Sequence, residues 1–90
     1  MTSSERAKLR SMANGLEPII HIGKEGITES VLKQLDDALT ARELVKGTVL
    51  KTCDYTAREA LDALCEELGA EGVQAIGRRF TIYRPKPEEN

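Results

Sequence analysis

The 90-residue chain is long enough for one domain with a core of modest size, and its 40% hydrophobic and 31% charged residues exclude a disordered or membrane-spanning protein. It has no apolar stretch near the roughly 20 residues that cross a bilayer and no signal-peptide segment in MTSSERAKLR, so we expect a cytoplasmic protein without a membrane partner. Its net charge of −2 excludes a strongly basic nucleic-acid binder, although six acids and one base within residues 54–71 leave the remaining chain positive.

The first predicted elements are a helix and a short strand. Thr2 and Glu5 fit a capping box at the start of the helix, and Asn14 is expected to end it. After Pro18, the sequence IIHI at residues 19–22 is typical of a short strand.

A second helix and a second strand follow. Thr28 is a suitable N-cap for the helix, and its apolar positions recur with helical spacing: Val31, Leu32, Leu35, Ala38 and Leu39. The sequence LVKGTVLK at residues 44–51 has the β-branched content of a strand. Within it, Gly47 predicts a bulge or a close approach by another group.

The third helix is predicted to begin after Asp54 as its cap and to end at Gly69. Two further strands, VQAI at residues 73–76 and FTIYR at 80–84, flank a two-residue hairpin turn at 77–78. The predicted order is therefore αβαβαββ, a single compact α/β domain whose four-stranded mixed sheet packs with the helices. The last residues, PKPEEN, are predicted to form a short flexible tail.

The loop in HIGKEGIT, residues 21–28, contains a GxxG pattern formed by Gly23, Lys24, Glu25 and Gly26. It is predicted to join a strand to a helix, where free backbone N–H groups and the helix dipole attract anions. A GxxG loop of this kind contacts the sugar-phosphate chain in KH domains. Plain turn chemistry is the alternative. A nucleotide-triphosphate loop is excluded, because Ile27 and Thr28 stand where that motif requires Lys followed by Ser or Thr.

Basic residues form a second pattern. Arg78 and Arg79 lie at the predicted hairpin tip, Arg84 follows its second strand, and Arg6 with Arg10 lies on one flank of the first helix. Each of them alone is explained by the solubility of a small domain. Their convergence on one surface with the GxxG loop would instead indicate a nucleic-acid interface.

Catalysis and metal binding have little support in the sequence. His21 is the only histidine, and no nucleophile motif accompanies it, so we expect neither an enzyme nor a small-molecule substrate. Cys53 and Cys65 lack the spacing of a zinc site or a disulfide framework, and we interpret both as structural. No cofactor is expected.

The element order, the IGKEGIT loop and the closing IGRRFTIYRP hairpin together resemble the CRM domain family, and most of all its freestanding prokaryotic, YhbY-like members. The resemblance implies an RNA-binding domain over residues 1–84, with 85–90 as the tail, and a fold similar to the C-terminal domain of translation initiation factor three. It also implies a role with precursors of the large ribosomal subunit, whose ribosomal RNA would be the partner. The positions that match the family's motifs are Gly23, Lys24, Glu25, Gly26, Gly77, Arg78, Arg79, Tyr83 and Arg84.

Two features modify that expectation. Glu25 inside the loop repels phosphate, which predicts weaker and more salt-sensitive binding than in a basic relative. Aromatic residues are few, and Phe80 is predicted to face the core, so contacts to RNA backbone and shape are favoured over base stacking. The alternative function is a protein-interaction module that docks a basic ribosomal protein on the acidic outer face of the third helix, which comprises Glu59, Asp62 and Glu66.

Overall fold

Three helices and four strands follow one another in the predicted order αβαβαββ. The computed structural model describes residues 1–86. Its elements are α1 (Ser3–Ala13), β1 (Ile20–Ile22), α2 (Glu29–Arg42), β2 (Leu44–Val49), α3 (Ala57–Leu68), β3 (Glu71–Ile76) and β4 (Arg79–Tyr83). The predicted α/β class is confirmed. No helix within this range is long and apolar enough to cross a membrane.

The four strands form one mixed sheet in the order β1-β2-β4-β3. β1 and β2 are parallel, as expected for strands connected through a helix, and the other two pairs are antiparallel. Residues that pair across the sheet face the same side, so each row of paired residues belongs to one face. This register fixes which side chains can act together.

One face of the sheet packs against α2 and α3. Val45 and Val49 of β2 and Phe80 and Ile82 of β4 point to this side and are almost completely buried. Gly47 lies in the same row as Phe80, and a Cβ atom at Gly47 would overlap the Phe80 ring. The predicted close approach at Gly47 is therefore confirmed, and the core face of Phe80 is confirmed with it.

α1 covers part of the opposite face. Ala13 at the end of α1 packs with Leu44 of β2 and Val73 of β3, and Leu9 and Tyr83 border this small cluster. Ala13 is fully buried, whereas Met12 beside it is 54% exposed. α1 contacts β2 and β3 on this side of the sheet.

The helix termini follow the predictions with two exceptions. The predicted capping box of Thr2 and Glu5 is only half formed among residues 1–86: the Thr2 side chain accepts the Glu5 N–H at 3.1 Å, without the reciprocal bond from the Thr2 N–H to the Glu5 side chain. Thr2 and Thr28 cap α1 and α2, α1 ends at Asn14, and α3 ends at Gly69 in a left-handed conformation. The prediction of Asp54 as the cap of α3 is wrong.

Thr56 caps α3 instead. It forms a complete capping box with Glu59, because each side chain accepts a backbone N–H from the other residue at 3.1 and 2.9 Å. The reciprocal pair satisfies two donors at the helix start, whereas Asp54 lies too far upstream to do so.

The strand boundaries differ slightly from the predicted ones. The predicted strand at residues 19–22 begins at Ile20, and that at 44–51 ends at Val49. β3 begins at Glu71 and contains a bulge between Gly72 and Gln74. Most of the predicted tail, residues 87–90, lies outside the described residues. Similarity to the C-terminal domain of initiation factor three stays a prediction.

Candidate nucleic-acid interface

Three loops meet at one end of the sheet. They are residues 23–28 after β1, 50–56 after β2 and the 77–78 turn between β3 and β4; together with Glu29 at the start of α2 and Arg79 at the start of β4 we call this region the loop end. The N–H of Leu50 donates to the carbonyl of Ile22 at 2.8 Å, and the N–H of Val49 donates to that of Arg78 at 2.7 Å. The first residue of the middle loop is thus bonded to the end of β1, and the end of β2 is bonded to the hairpin turn.

The GxxG segment forms a tight turn. The N–H of Gly26 donates to the carbonyl of Gly23 at 3.0 Å, which leaves Lys24 and Glu25 exposed at the tip. Gly26 has a φ of 73°, in the region that favours glycine. The turn interpretation of this motif is thus correct, and a turn with a bare backbone at a strand-to-helix junction is also suited to contact with an anion.

Tyr55 lies against this turn. A Cβ atom at Gly26 would come 3.2 Å from Cε2 of the tyrosine ring, yet the residue is 44% exposed. Tyr55 was not predictable as part of the site, because Gly26, its neighbour in space, is distant along the chain. The sequence did offer one indication that Tyr55 belongs to the site: it lies shortly before α3, in a segment that also contains Lys51.

Thr28 has a structural task at the start of α2. Its Oγ1 accepts the N–H of Val31 at 3.2 Å, which makes it the N-cap. The hydroxyl hydrogen is still free to donate, so the capping task and a contact with an anion are compatible. Glu29 in the first turn reduces the positive potential of the helix start.

The charges at the loop end have both signs. Four exposed cations, Lys24, Lys51, Arg78 and Arg79, accompany three exposed acids, Glu25, Glu29 and Asp54. The cations form no ion pair with another of residues 1–86. A surface with charges of both signs attracts phosphate only modestly, and the strength of that attraction depends strongly on local geometry.

Arg84 lies at the opposite end of the sheet, which we define by the row Leu44, Tyr83 and Glu71. Its guanidinium donates to Oδ1 of Asp36 at 2.8 Å, to the Asp36 carbonyl at 3.1 Å, to Oγ1 of Thr40 at 3.0 Å and to the Leu68 carbonyl at 3.0 Å. It therefore connects β4 to α2 and α3. It does not converge with the GxxG loop, and an RNA contact at Arg84 stays a prediction.

The two arginines of α1 are also separate from the loop end. Arg6 lines a cavity of about 270 Å³ with Arg58, Asp62 and Gly72, beside α3. Arg10 is exposed in the last turn of α1. The expected convergence is therefore partial: the structure brings together Gly23, Lys24, Glu25, Gly26, Thr28, Arg78 and Arg79, and it places Arg6, Arg10 and Arg84 elsewhere.

The remaining titratable groups have local explanations. Burial, with smaller effects from Asp62 and Glu71, raises the pKa of Cys65 to about 11, which keeps it a thiol at neutral pH. The N–H of Thr56 lowers the pKa of Glu59, whose carboxylate it bonds. On the acidic face of α3, Glu59 thus serves the helix cap, and Asp62 pairs with Arg58 at 3.7 Å.

Known proteins share this sequence and fold. The family model described as CRS1 / YhbY (CRM) domain matches residues 1–84. Probable RNA-binding protein YqeI of Bacillus subtilis (strain 168) is 35% identical over 88 residues, which cover 98% of this chain and 92% of the relative. A Haemophilus influenzae protein named RNA-binding protein is 32% identical, with coverages of 98% and 89%. The solution structure of a Staphylococcus aureus protein has a TM-score of 0.73 at 38% identity and covers 100% of this chain and 94% of its own.

Proposed function

The chain belongs to the CRS1 / YhbY (CRM) domain family, and from this membership we propose that it is an RNA-binding protein that contacts RNA backbone at the loop end. Residues 1–84 form the binding domain in this proposal. The GxxG turn presents its uncovered backbone and Lys24 to the phosphate chain. Arg78 and Arg79 bind the same chain from the adjoining hairpin, and no catalytic step is involved.

One observation carries this proposal. The hydrogen bonds of Val49 and Leu50 link the end of β2 and the start of the middle loop to the hairpin turn and to the end of β1, after which the GxxG turn begins, although these segments are far apart in sequence. Solubility alone explains scattered arginines, but it does not require that two of them lie at the same end of the sheet as a glycine turn before a helix start. The arrangement reads RNA through phosphate and shape, since Tyr55 is the only exposed aromatic residue there among those described.

We further propose that the RNA is ribosomal RNA in precursors of the large subunit, and that the protein acts in the cytoplasm. The support is the resemblance of the two motifs to freestanding members of the family. Glu25 and the net charge of −2 lower the affinity for phosphate, so a structured target with several phosphates in the right places suits this surface better than random RNA.

The competing proposal is a protein-interaction module that uses the acidic face of α3. Of that face, Glu66 is exposed and has no ion pair with residues 1–86, while Glu59 and Asp62 have intramolecular partners. This leaves less unpaired acidic charge for a basic partner protein. We therefore favour the RNA proposal.

The deciding experiment is filter binding of a large-subunit ribosomal RNA fragment over a range of salt concentrations. Lys24→Glu and the double variant Arg78→Ala with Arg79→Ala are compared with Arg58→Ala, which removes an exposed arginine on α3. Each lost phosphate contact should lower the slope of log affinity against log salt by roughly 0.7 to 0.9. Arg58→Ala should leave the slope unchanged.

If the loop-end variants bind as the wild type does while remaining folded, the proposed surface is wrong. The choice of target is tested separately, by ultraviolet crosslinking in cells and sequencing of the attached RNA. Crosslinks concentrated at a few places in large-subunit ribosomal RNA support the assembly role. Recovery of RNA no richer than background contradicts it and favours the protein-interaction alternative.

A further inference from the structure

The middle loop, residues 50–56, borders the GxxG turn at both of its glycines. A Cβ atom at Gly23 would lie 3.6 Å from Cδ1 of Leu50, and one at Gly26 would lie 3.2 Å from Cε2 and 3.7 Å from Cδ2 of the Tyr55 ring. Both of these side chains are nevertheless accessible, since Leu50 is 40% exposed and Tyr55 is 44% exposed. The turn is therefore accompanied by an apolar surface that a ligand can reach.

Tyr55 is held in a defined position beside this turn. Its N–H donates to Sγ of Cys53 at 3.4 Å, and the N–H of Cys53 donates to the Leu50 carbonyl at 3.0 Å. Thr56, the next residue, is the cap of α3. The backbone is thus fixed on both sides of Tyr55, and the ring lies against the turn along its Cδ2–Cε2 edge. A ring that is fixed at one edge is preorganised to offer a flat face to a ligand.

The same two loops carry exposed charges. Lys24 at the tip of the turn and Lys51 in the middle loop form no ion pair with another of residues 1–86. Glu25 and Asp54, which are also exposed, limit the attraction of these loops for phosphate alone. A phosphate gains nothing from an exposed aromatic ring, whereas the base attached to it has a flat face that stacks on one. The lysines together with the accessible ring of Tyr55 therefore point to a nucleotide rather than to a phosphate group alone.

We propose that Tyr55 stacks on one unpaired base of the RNA whose backbone lies on the loop end; this inference rests on the proposed function. A base within a continuous A-form helix is stacked on both of its faces, so only an unpaired or bulged base places a face on the ring. One ring serves one base, which is consistent with recognition that otherwise depends on phosphate and shape. The protein is therefore expected to prefer RNA that carries an unpaired nucleotide beside the bound backbone.

The experiment measures the affinity of the whole chain for two RNA duplexes, one with a single bulged adenosine and one with the same bulge lacking its base. The abasic duplex keeps every phosphate, so it is the matched control for the base alone. Wild type should bind the adenosine duplex about 5- to 150-fold more tightly, the worth of one base stacked on an aromatic ring. Tyr55→Phe should retain this preference. Tyr55→Leu, which keeps an apolar side chain beside Gly26, should abolish it without weakening binding of the abasic duplex.

A purely structural role of Tyr55 gives a different result. If the residue only supports the turn, Tyr55→Leu changes the affinities for the two duplexes by the same factor. Equal changes, or two unchanged affinities, therefore overturn the inference.

A second measurement needs no variant. In NMR spectra of the wild-type chain, the ring protons of Tyr55 should shift upfield with the adenosine duplex and not with the abasic one. Tyr83, in the row at the opposite end of the sheet, is the internal reference. Equal ring shifts with both duplexes, or none, overturn the inference, while amide shifts of residues 23–28 and 77–78 still support the proposed function. The absence of shifts everywhere overturns both.

Discussion

At the loop end of the sheet, Arg79 is exposed and has no ion pair with residues 1–86, whereas at the opposite end Arg84 is held by Asp36, Thr40 and Leu68. Both arginines belong to the same strand or its immediate exit. The side chain of Arg84 is 22% exposed, and its fork of donors is used within the protein. One strand thus supplies an arginine that stabilises the fold and another that is available to a ligand.

The backbone shows the same contrast. At the opposite end, Glu43 adopts a φ of 65°, which is costly for a residue other than glycine. Its carbonyl accepts the N–H of Arg84 at 3.0 Å, and its carboxylate accepts that of Lys86 at 3.2 Å. At the loop end the left-handed positions are glycines, Gly26 and Gly77. The opposite end thus holds a strained residue in place, whereas the loop end avoids strain by placing glycines at its left-handed positions.

The largest effect on stability is expected from a change in β2, which affects both ends of the sheet. Gly47→Ala places a methyl group against the ring of Phe80 in the strand that joins the two ends. We expect a loss of about 3 kcal/mol in the free energy of unfolding, because overpacking a closed core displaces backbone or ring. Equilibrium unfolding in denaturant measures this loss of stability.

The double variant Gly47→Ala with Phe80→Leu is the control. If steric overlap is the cause, the double variant loses less stability than the sum of the two single variants. Additive losses would show that the two residues act independently and that the close approach is unimportant.

Arg84→Ala should have the next largest effect and sharpen the comparison. Loss of the guanidinium leaves the Leu68 and Asp36 carbonyls without its donors, and we expect a loss of about 2 kcal/mol in stability. Because these donors are used within the fold, RNA affinity of the folded protein should not change, and a weaker affinity would instead support the RNA contact predicted for Arg84 from the sequence. Arg79→Ala is the matched control, with the reverse expectation of near-constant stability and weaker RNA binding. A destabilised Arg79→Ala variant would contradict the division of roles.

A smaller effect compares glycines from the two ends. Gly26→Ala and Gly69→Ala both force alanine into a left-handed conformation, at about 1 kcal/mol each. A Cβ atom at Gly69 meets nothing within 4 Å, whereas one at Gly26 comes 3.2 Å from Tyr55. Thermal unfolding should therefore rank Gly26→Ala as slightly less stable. Only Gly26→Ala should weaken RNA binding, because the added methyl group displaces Tyr55 or distorts the GxxG turn, and equal affinities of the two variants would count against a role of this turn in RNA binding.

The smallest expected effect is a pH dependence at the start of α3. Hydrogen bonds from Thr56 lower the pKa of Glu59 below its ordinary value of 4.5. A lowered folded-state pKa adds stability above the unfolded pKa, and that stability is lost as the pH falls through the folded value. Wild type should thus lose stability relative to Glu59→Gln between about pH 6 and about pH 3. Parallel stability curves would contradict this role of the capping box.

Local patterns made most of the fold predictable. Helical spacing, the caps at Thr2 and Thr28 and the hairpin turn depend on residues close in sequence. The cap of α3 was misassigned because Asp54 and Thr56 are both suitable residues. Glu59 was the indication that decides between them, because a complete capping box requires Glu or Gln three positions after the cap, and Glu59 stands three positions after Thr56.

The site was only partly predictable for a physical reason. The convergence of residues 23–28 with Arg78 follows from strand order and register, which pairings far apart in sequence determine. The same holds for Tyr55 beside Gly26 and for the partners of Arg84. An arginine that follows a strand looks the same in the sequence whether it binds RNA or hydrogen-bonds two helices. The difference lies in the partners that surround it only after folding.

The separation of the two ends has a spectroscopic consequence. The chain contains two tyrosines and no tryptophan. Tyr55 lies at the loop end, and Tyr83 lies in the row that defines the opposite end. Each end therefore carries its own intrinsic chromophore. Fluorescence from Tyr55 should change when RNA binds at the loop end, and fluorescence from Tyr83 should change when the sheet unfolds. Single Tyr→Phe variants would therefore allow binding and unfolding to be followed separately by intrinsic fluorescence.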